Sequence, residues 1–352
     1  KIEFKGKIIV DLFAGTGSVS NFFLRNNCIV YACDNMTYSI AEQYRVNYYS
    51  KEPLFGELND IIGGDTLDDV LYYLNQLKPI KDYFFENFAP SGKYKRQFFT
   101  DNNAQKIDSI RFKLKEWEAL LPKEKNWFLL GILMNSADRV SNTAGTYGAY
   151  LKIWRTMALK DLVLEKPEFV STGKVFIVQD DVLNFVKENK NFDIVYLDPP
   201  YNERQYASNF HVLESIVVYD KQKLKGKTGL RNYDSQKSDF CIAGKVKDSF
   251  EKLIKNLDTK YIVMSYSNEG LLSKDYILKI LRAKGTVTFY ENDYKRFKTN
   301  AWTNDNTGLK EIIFICKVFE KGMFDNVNIK CGCTSKKGKS IEKENNKVEK
   351  NA

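Results

Sequence analysis

Five short runs of apolar, largely β-branched residues punctuate the chain: KIIVDLF from Lys7, IVYACD from Ile29, VFIVQDD from Val175, FDIVYLD from Phe192 and YIVMSYS from Tyr261. Runs this short and this continuous predict strands buried on both faces, because a strand open to water on one side alternates apolar with polar residues. Amphipathic stretches of helical length separate several of them, as in a parallel sheet covered by helices on both sides. Two further runs, GTVTFYEND from Gly285 and GLKEIIFICKVF from Gly308, have no helical stretch between them and predict an antiparallel hairpin at one sheet edge. The sum is an α/β fold built on a doubly wound, seven-stranded sheet.

The alternation stops between the second and third strands. From about Tyr44 to Gly173 the chain carries aromatic-rich segments of helical character, such as AQKIDSIRFKLKEWEALL from Ala104. This predicts an inserted helical lobe over 45–173, set into a core made of 1–44 and 174–320. Beyond that core, 321–352 loses hydrophobic periodicity, becomes rich in Lys, Asn and Glu, and reads as a basic disordered tail.

Composition adds boundaries. The length of 352 residues suits one core plus a large insertion, and no apolar run is long enough to cross a bilayer, so the chain reads as soluble with no membrane partner. The formal charge of +9 favours a polyanionic partner through counterion release, but much of the excess sits in KKGKSIEKENNKVEK, so a solvated Lys-rich surface explains it equally well. The six cysteines show no disulfide spacing, and the single histidine, His211, leaves too few soft ligands for a metal site. Free thiols in a reducing cytoplasm are expected, with the Cys331 and Cys333 pair in the tail as the one alternative point of metal capture. The chain starts at Lys1 without methionine and enters a strand at once, so preceding sequence is expected to be missing.

Chemistry concentrates at strand ends. DLFAGTGSVS, Asp11 to Ser20, places Gly15 and Gly17 in a turn between a strand and a helix, where the backbone can come close to a ligand. The third glycine of a dinucleotide fingerprint and the lysine of a phosphate loop are both missing. The second strand ends in Asp34, whose carboxylate can accept from both ribose hydroxyls of an adenosyl group or, alternatively, cap the following helix. Asp180 and Asp181 end the third strand; either can accept from the amine of the cofactor's adenine, and one of them serves as a helix N-cap.

The most informative tetrapeptide is Asp198-Pro199-Pro200-Tyr201, directly after a buried strand. Consecutive prolines hold the loop extended and rigid. The Asp198 carboxylate and the Pro199 carbonyl can each accept one hydrogen of an exocyclic amine, which turns that nitrogen's lone pair toward an incoming methyl group. Tyr201 offers a ring for a base flipped out of a duplex. Arg204 and Gln205, at the start of the next helix, can hold a phosphate or tie the loop down, the second role being favoured. Because the amine's proton can leave to solvent after transfer, no strong base is required, and His211 reads as structural. SNTAGTYGAYLKIW with Lys152 and Arg155, and KGKTGLRNYDSQKSDF with Lys227 and Arg231, combine cations, aromatics and small residues and are candidate DNA-facing segments.

In this order the motifs resemble the alpha class, or Dam-like, adenine-N6 DNA methyltransferases of type II restriction-modification systems. The resemblance spans about Ile8 to Phe319 and is most specific at DPPYNERQYASNFHVLE, which looks like an extended DPPYNxRQYxxNxHxLE motif; SNTAGTYGAYLKIW and SYSNEGL support it. It implies a Rossmann-like fold dependent on S-adenosylmethionine (SAM), a target-recognition role for the inserted lobe, double-stranded DNA as partner beside a cognate restriction endonuclease, and a monomer. It also implies that Phe13, Ala14, Gly15 and Gly17 line the SAM site with Asp34 at the ribose and Asp181 at the adenine. Asp11, Thr16, Asn35, Asp180 and Asp198 complete the cofactor candidates, and Asp198, Pro199, Pro200 and Tyr201 form the catalytic loop. The class usually carries a further element before the glycine motif that closes over the methionine part of SAM, and few residues precede Asp11 here. An RNA or guanine-amine methyltransferase and a non-catalytic DNA-binding module on the same fold remain the alternatives.

Overall fold

The computed structural model describes residues 3–169, 172–293 and 308–320. Seven strands form one sheet in the order β3-β2-β1-β4-β5-β7-β6. They are β1 (Ile8–Asp11), β2 (Ile29–Asp34), β3 (Lys174–Gln179), β4 (Phe192–Leu197), β5 (Thr259–Ser267), β6 (Gly285–Asp293) and β7 (Lys310–Val318). The first five pair in parallel, while β7 runs antiparallel to both β5 and β6. The expected hairpin is therefore present, with β7 inserted between β5 and β6. The order otherwise follows the doubly wound pattern, in which ligands bind beyond the carboxyl ends of the strands where the winding reverses, here between β1 and β4.

The helices, in chain order, are α1 (Ser18–Arg25), α2 (Thr37–Gln43), α3 (Asn59–Ile62), α4 (Leu67–Gln76), α5 (Tyr83–Phe88), α6 (Asp101–Trp117), α7 (Lys123–Arg139), α8 (Val182–Glu188), α9 (Tyr206–Asn209), α10 (His211–Val218), α11 (Val246–Asn256) and α12 (Lys274–Arg282). Strand alternation sends Val10, Leu12, Val195, Leu197, Ile262 and Met264 into one cluster, packed with α8, α11 and α12. The neighbouring residues Ile9, Val30, Ala32 and Ile194 enter another cluster with Phe23 and Leu24 of α1. Burying residues of both parities is what made these strands read as continuous apolar runs.

Helices α3 to α7 come from the insertion, and its core is continuous with that of the flanking elements. Phe84, Phe88, Phe98 and Phe128 share one cluster with Met36 and Ala41 of the α2 region and with Val212 and Ile216 of α10. Gly131 in α7 explains how closely the insertion docks: a Cβ there would lie 2.3 Å from the Ala41 carbonyl oxygen of α2. Among the described residues no helix is long and apolar enough to cross a membrane. The 321–352 segment with Cys331 and Cys333 lies outside the described residues.

Helix α2 owes its start to a distant residue. Glu214 of α10 is buried, and its carboxylate accepts from the backbone N–H groups of Thr37 at 3.2 Å and Tyr38 at 2.9 Å, and from Gln236 Nε2 at 2.6 Å. A negative charge on these orphan donors is favourable both as a hydrogen-bond acceptor and against the helix dipole. Glu214→Ala should cost about 2–4 kcal/mol, visible as a lower thermal midpoint; an unchanged midpoint would remove Glu214 as the cap.

Candidate active site

The glycine turn is built from behind. Gly15 and Gly17 both have positive φ, 48° and 80°. The Ser39 hydroxyl donates to the Gly15 carbonyl at 2.7 Å, Gln43 Nε2 to the Ala14 carbonyl at 3.2 Å and Asn47 Nδ2 to the Gly17 carbonyl at 3.1 Å. Three side chains of α2 and the turn after it thus hold the loop against the end of β1. Asp34 works from the other side, accepting from Gly15 N at 2.9 Å and from Met36 N at 2.8 Å. It shapes the turn and leaves the capping of α2 to Glu214, so the capping alternative for Asp34 does not hold.

A cavity of about 560 Å³ opens at the carboxyl ends of β1, β2 and β4. Of the sequence candidates, Asp11, Phe13, Ala14, Gly15, Thr16, Asp34, Asn35, Asp181, Asp198 and Pro200 line it. Gly17, expected to line the same site, is not among its lining residues and borders a second depression with Ser18 and Asn21. Asp180 is a correction: it is not among the lining residues, and its carboxylate accepts from the Asp181 backbone N–H at 2.7 Å. Asp181, by contrast, both lines the cavity and caps α8 by accepting from Leu183 N at 2.8 Å, so cap and wall are one residue. A carboxylate has acceptor sites enough for both tasks.

Asp198 follows β4, with Pro199 and Pro200 buried behind it and the Tyr201 carbonyl accepting from Leu271 N at 3.0 Å. Its side chain keeps access to solvent through the cavity while walls surround it on most sides. Enclosure, followed by the charge of Glu311, pushes its carboxyl up to about 6. Asp11 is buried deeper; desolvation and the charges of Asp198 and Asp34 lift it to about 7, against the lowering effect of a 2.8 Å hydrogen bond from Ser20. Pro199 and Tyr201 stand outside the lining, and the Tyr201 ring is 42% exposed.

The carboxylates of Asp11, Asp34, Asp138, Asp181 and Asp198 face or border a space whose other walls are Phe13, Met36, Tyr38, Val182 and Phe210. That donor set fits SAM: acceptors for ribose hydroxyls and amines, apolar faces for a purine, and negative charge for a sulfonium. Several wall residues escaped the sequence reading, among them Tyr38, Asp138, Tyr196, Tyr206, Phe210 and Gln236. Tyr206 and Phe210, shortly after the Asp-Pro-Pro-Tyr loop in the chain, stack at 6.0 Å between centroids. Their spacing after DPPY was the available signal; Asp138, on a helix of the insertion, offered none.

Lys152, Arg155, Arg204 and Lys227 are exposed. Arg155 is held by its backbone N–H to Asn142 Oδ1 at 3.0 Å and by its guanidinium to the Thr143 carbonyl at 2.7 Å. The 142–155 loop is anchored to the helices after DPPY, Tyr147 N donating to the Asn209 carbonyl at 2.7 Å and His211 Nε2 donating to the Tyr147 carbonyl at 3.0 Å. Burial drops His211 to about 4, which leaves it neutral and structural. Gln205 is the residue that ties a loop down, donating to the Ser238 carbonyl at 3.0 Å and accepting from Ser238 N at 2.8 Å. Arg231 is a second correction: it is only 6% exposed and pairs with Asp220 at 2.9 Å, so it cannot present its charge to a duplex from this position. The hairpin around it folds inward because the buried Arg96 grips the Gly226 and Lys227 carbonyls at 3.0 and 3.1 Å.

A doubly wound sheet with an antiparallel β7, a glycine turn facing a strand-end carboxylate and an Asp-Pro-Pro loop opening onto the same cavity define a SAM-dependent methyltransferase. The model of the D12 class N6 adenine-specific DNA methyltransferases matches residues 2–280, and the chain belongs to that family. It is 36% identical to the type II methyltransferase M.NlaIII of Neisseria lactamica, covering 90% of this chain and 91% of that protein. It is 33% identical to the type II methyltransferase M.CviAII of Paramecium bursaria Chlorella virus 1, over 87% of this chain and 89% of the relative. M.FokI of Planomicrobium okeanokoites is 36% identical over 87% of this chain, which spans 48% of that longer protein.

Proposed function

We propose that the chain is the modification methyltransferase of a type II restriction-modification system, a cytoplasmic monomer that methylates N6 of a flipped adenine in double-stranded DNA beside a cognate endonuclease. The observation that carries this reading is the opening of the Asp198 carboxylate onto the same cavity as Asp34 and the glycine turn. Bound there, SAM supplies an electrophilic methyl group. Asp34 and Asn35 hold the ribose, Asp181 the adenine amine, and Asp11 and Ser20 brace the floor. Asp198 accepts one hydrogen of the target amine and the Pro199 carbonyl the other, so the nitrogen lone pair points at the methyl group. Pro200 keeps that geometry, and the rings of Tyr206, Phe210 and the exposed Tyr201 offer faces for the extruded base.

In this reading the insertion, 45–173, is the target-recognition lobe on a catalytic core of 1–44 and 174–320. Lys152, Arg155, Arg204 and Lys227 meet phosphates. Methyl transfer from labelled SAM to duplex DNA, with label recovered as N6-methyladenine, is the direct test; label confined to RNA or to guanine would overturn the substrate. Arg155→Ala should weaken duplex binding across sequences and reduce the salt dependence by about one phosphate contact. Arg231→Ala should lower the thermal midpoint and leave the salt slope alone. The reverse pattern would reinstate Arg231 as a DNA contact.

A further inference from the structure

The insertion of β7 between β5 and β6 brings an acid to the catalytic edge of the sheet. Leu197 pairs with Met264, so Asp198 is level with Ser265, and Ser267 pairs with Glu311 on β7. Paired residues share a face and side chains alternate along a strand, which places Tyr196, Asp198, Ser265 and Glu311 on one side. Because β7 is antiparallel, its first residues arrive where β4 and β5 end. The Ser265 hydroxyl, buried, donates to Glu311 Oε1, and Tyr196 lines the cavity on the same face.

Among the described residues, the titratable groups around Asp198 are Asp11 from β1, Tyr196 from β4, Tyr206 from α9 and Glu311 from β7. All are acidic or neutral. The nearby cations Lys310 and Lys274 turn to Glu291 of β6, at 3.1 and 2.6 Å. We propose that Glu311, anchored by Ser265 beside Tyr196, is a positioning residue for Asp198, strengthening it as acceptor of the target amine and stabilising the positive charge that gathers on the nitrogen. The nitrogen–carbon bond forms as the sulfur–carbon bond breaks, charge moves from sulfur to nitrogen, and the amine then releases one proton to solvent. A fixed negative charge on the nitrogen side favours that shift. Glu311 lies beyond the residues matched by the family model, 2–280, and the inference rests on the role assigned to Asp198.

Steady-state kinetics of Glu311→Gln should show kcat lower by about tenfold with KM for SAM and DNA within about twofold. The acid limb of kcat/KM for SAM should move down by about half a pH unit, since removing Glu311 relieves the charge that raises Asp198. Glu311→Asp should recover most of the rate, and Ser265→Ala should show a smaller loss with the same direction of shift. Wild-type kcat in Glu311→Gln, or equal losses in Glu311→Gln and Glu311→Asp with an unmoved acid limb, would overturn the proposal. Asp198→Ala measured alongside separates the premises: turnover there sinks the role of Asp198, whereas an inactive Asp198→Ala beside a normal Glu311→Gln sinks Glu311 alone.

Discussion

Asp198→Ala loses methyl transfer by at least about three orders of magnitude and keeps SAM affinity within about threefold. In the proposed reading the carboxylate serves the target side of the cavity, and the ribose and adenine ends of the cofactor site are furnished by Asp34 and Asp181 from other strands. Its proposed work is to take a hydrogen bond from an amine whose lone pair is otherwise delocalised into the ring, and alanine offers no acceptor. Isothermal titration with SAM and single-turnover transfer to duplex DNA read the two halves separately. Turnover surviving in the variant would remove Asp198 from the chemistry, and loss of SAM binding alone would make it a cofactor ligand.

The same carboxylate sets a pH dependence. Its proton affinity in the folded protein is raised to about 6, and that of Asp11 to about 7. In the proposed mechanism ionised Asp198 is the competent acceptor, so kcat/KM for SAM, which reports the free enzyme, should be full above these values. It should fall as pH drops through about 6, not through the ordinary carboxylate range near 4. For stability the sign is opposite. Between about pH 4 and 7 the folded protein binds more protons at these sites than the unfolded chain, so they favour the fold less as pH rises.

Gly17→Ala should weaken SAM binding by about two orders of magnitude and lower the thermal midpoint. Its φ of 80° is a left-handed conformation, costing an alanine about 1–2 kcal/mol. The added Cβ would also stand 2.6 Å from Asn47 Nδ2 and 2.9 Å from Gln43 Nε2. Those amides have nowhere to go: both residues are buried, and both hold carbonyls of the glycine turn. Moving them forfeits buried hydrogen bonds worth about 1–3 kcal/mol each, and the loop they support forms the cavity wall. Calorimetry on the variant checks this; wild-type affinity would show that the loop tolerates a shift.

Local pattern determined much of this protein by itself. Strand positions followed from apolar runs too short for helices, and the glycine turn, Asp34 and the DPPY loop followed from residue types with few conformational options. What the fold alone decided depends on partners distant in sequence. Glu214 caps α2 from another helix, Asp138 reaches the cavity from the insertion, and Glu311 comes to Ser265, level with Asp198, because β7 runs antiparallel between β5 and β6. Arg231 and Asp180 point the other way: the sequence offered Arg231 as a DNA-facing cation and Asp180 as one of two candidate acceptors for the cofactor, yet Arg231 turns inward to Asp220 and Asp180 to its own neighbour's backbone. Periodicity reports which side of an element is buried, because burial acts on each residue in turn. Which charged side chain faces a cavity depends on strand order and on loops folded across it, and only the assembled chain sets those.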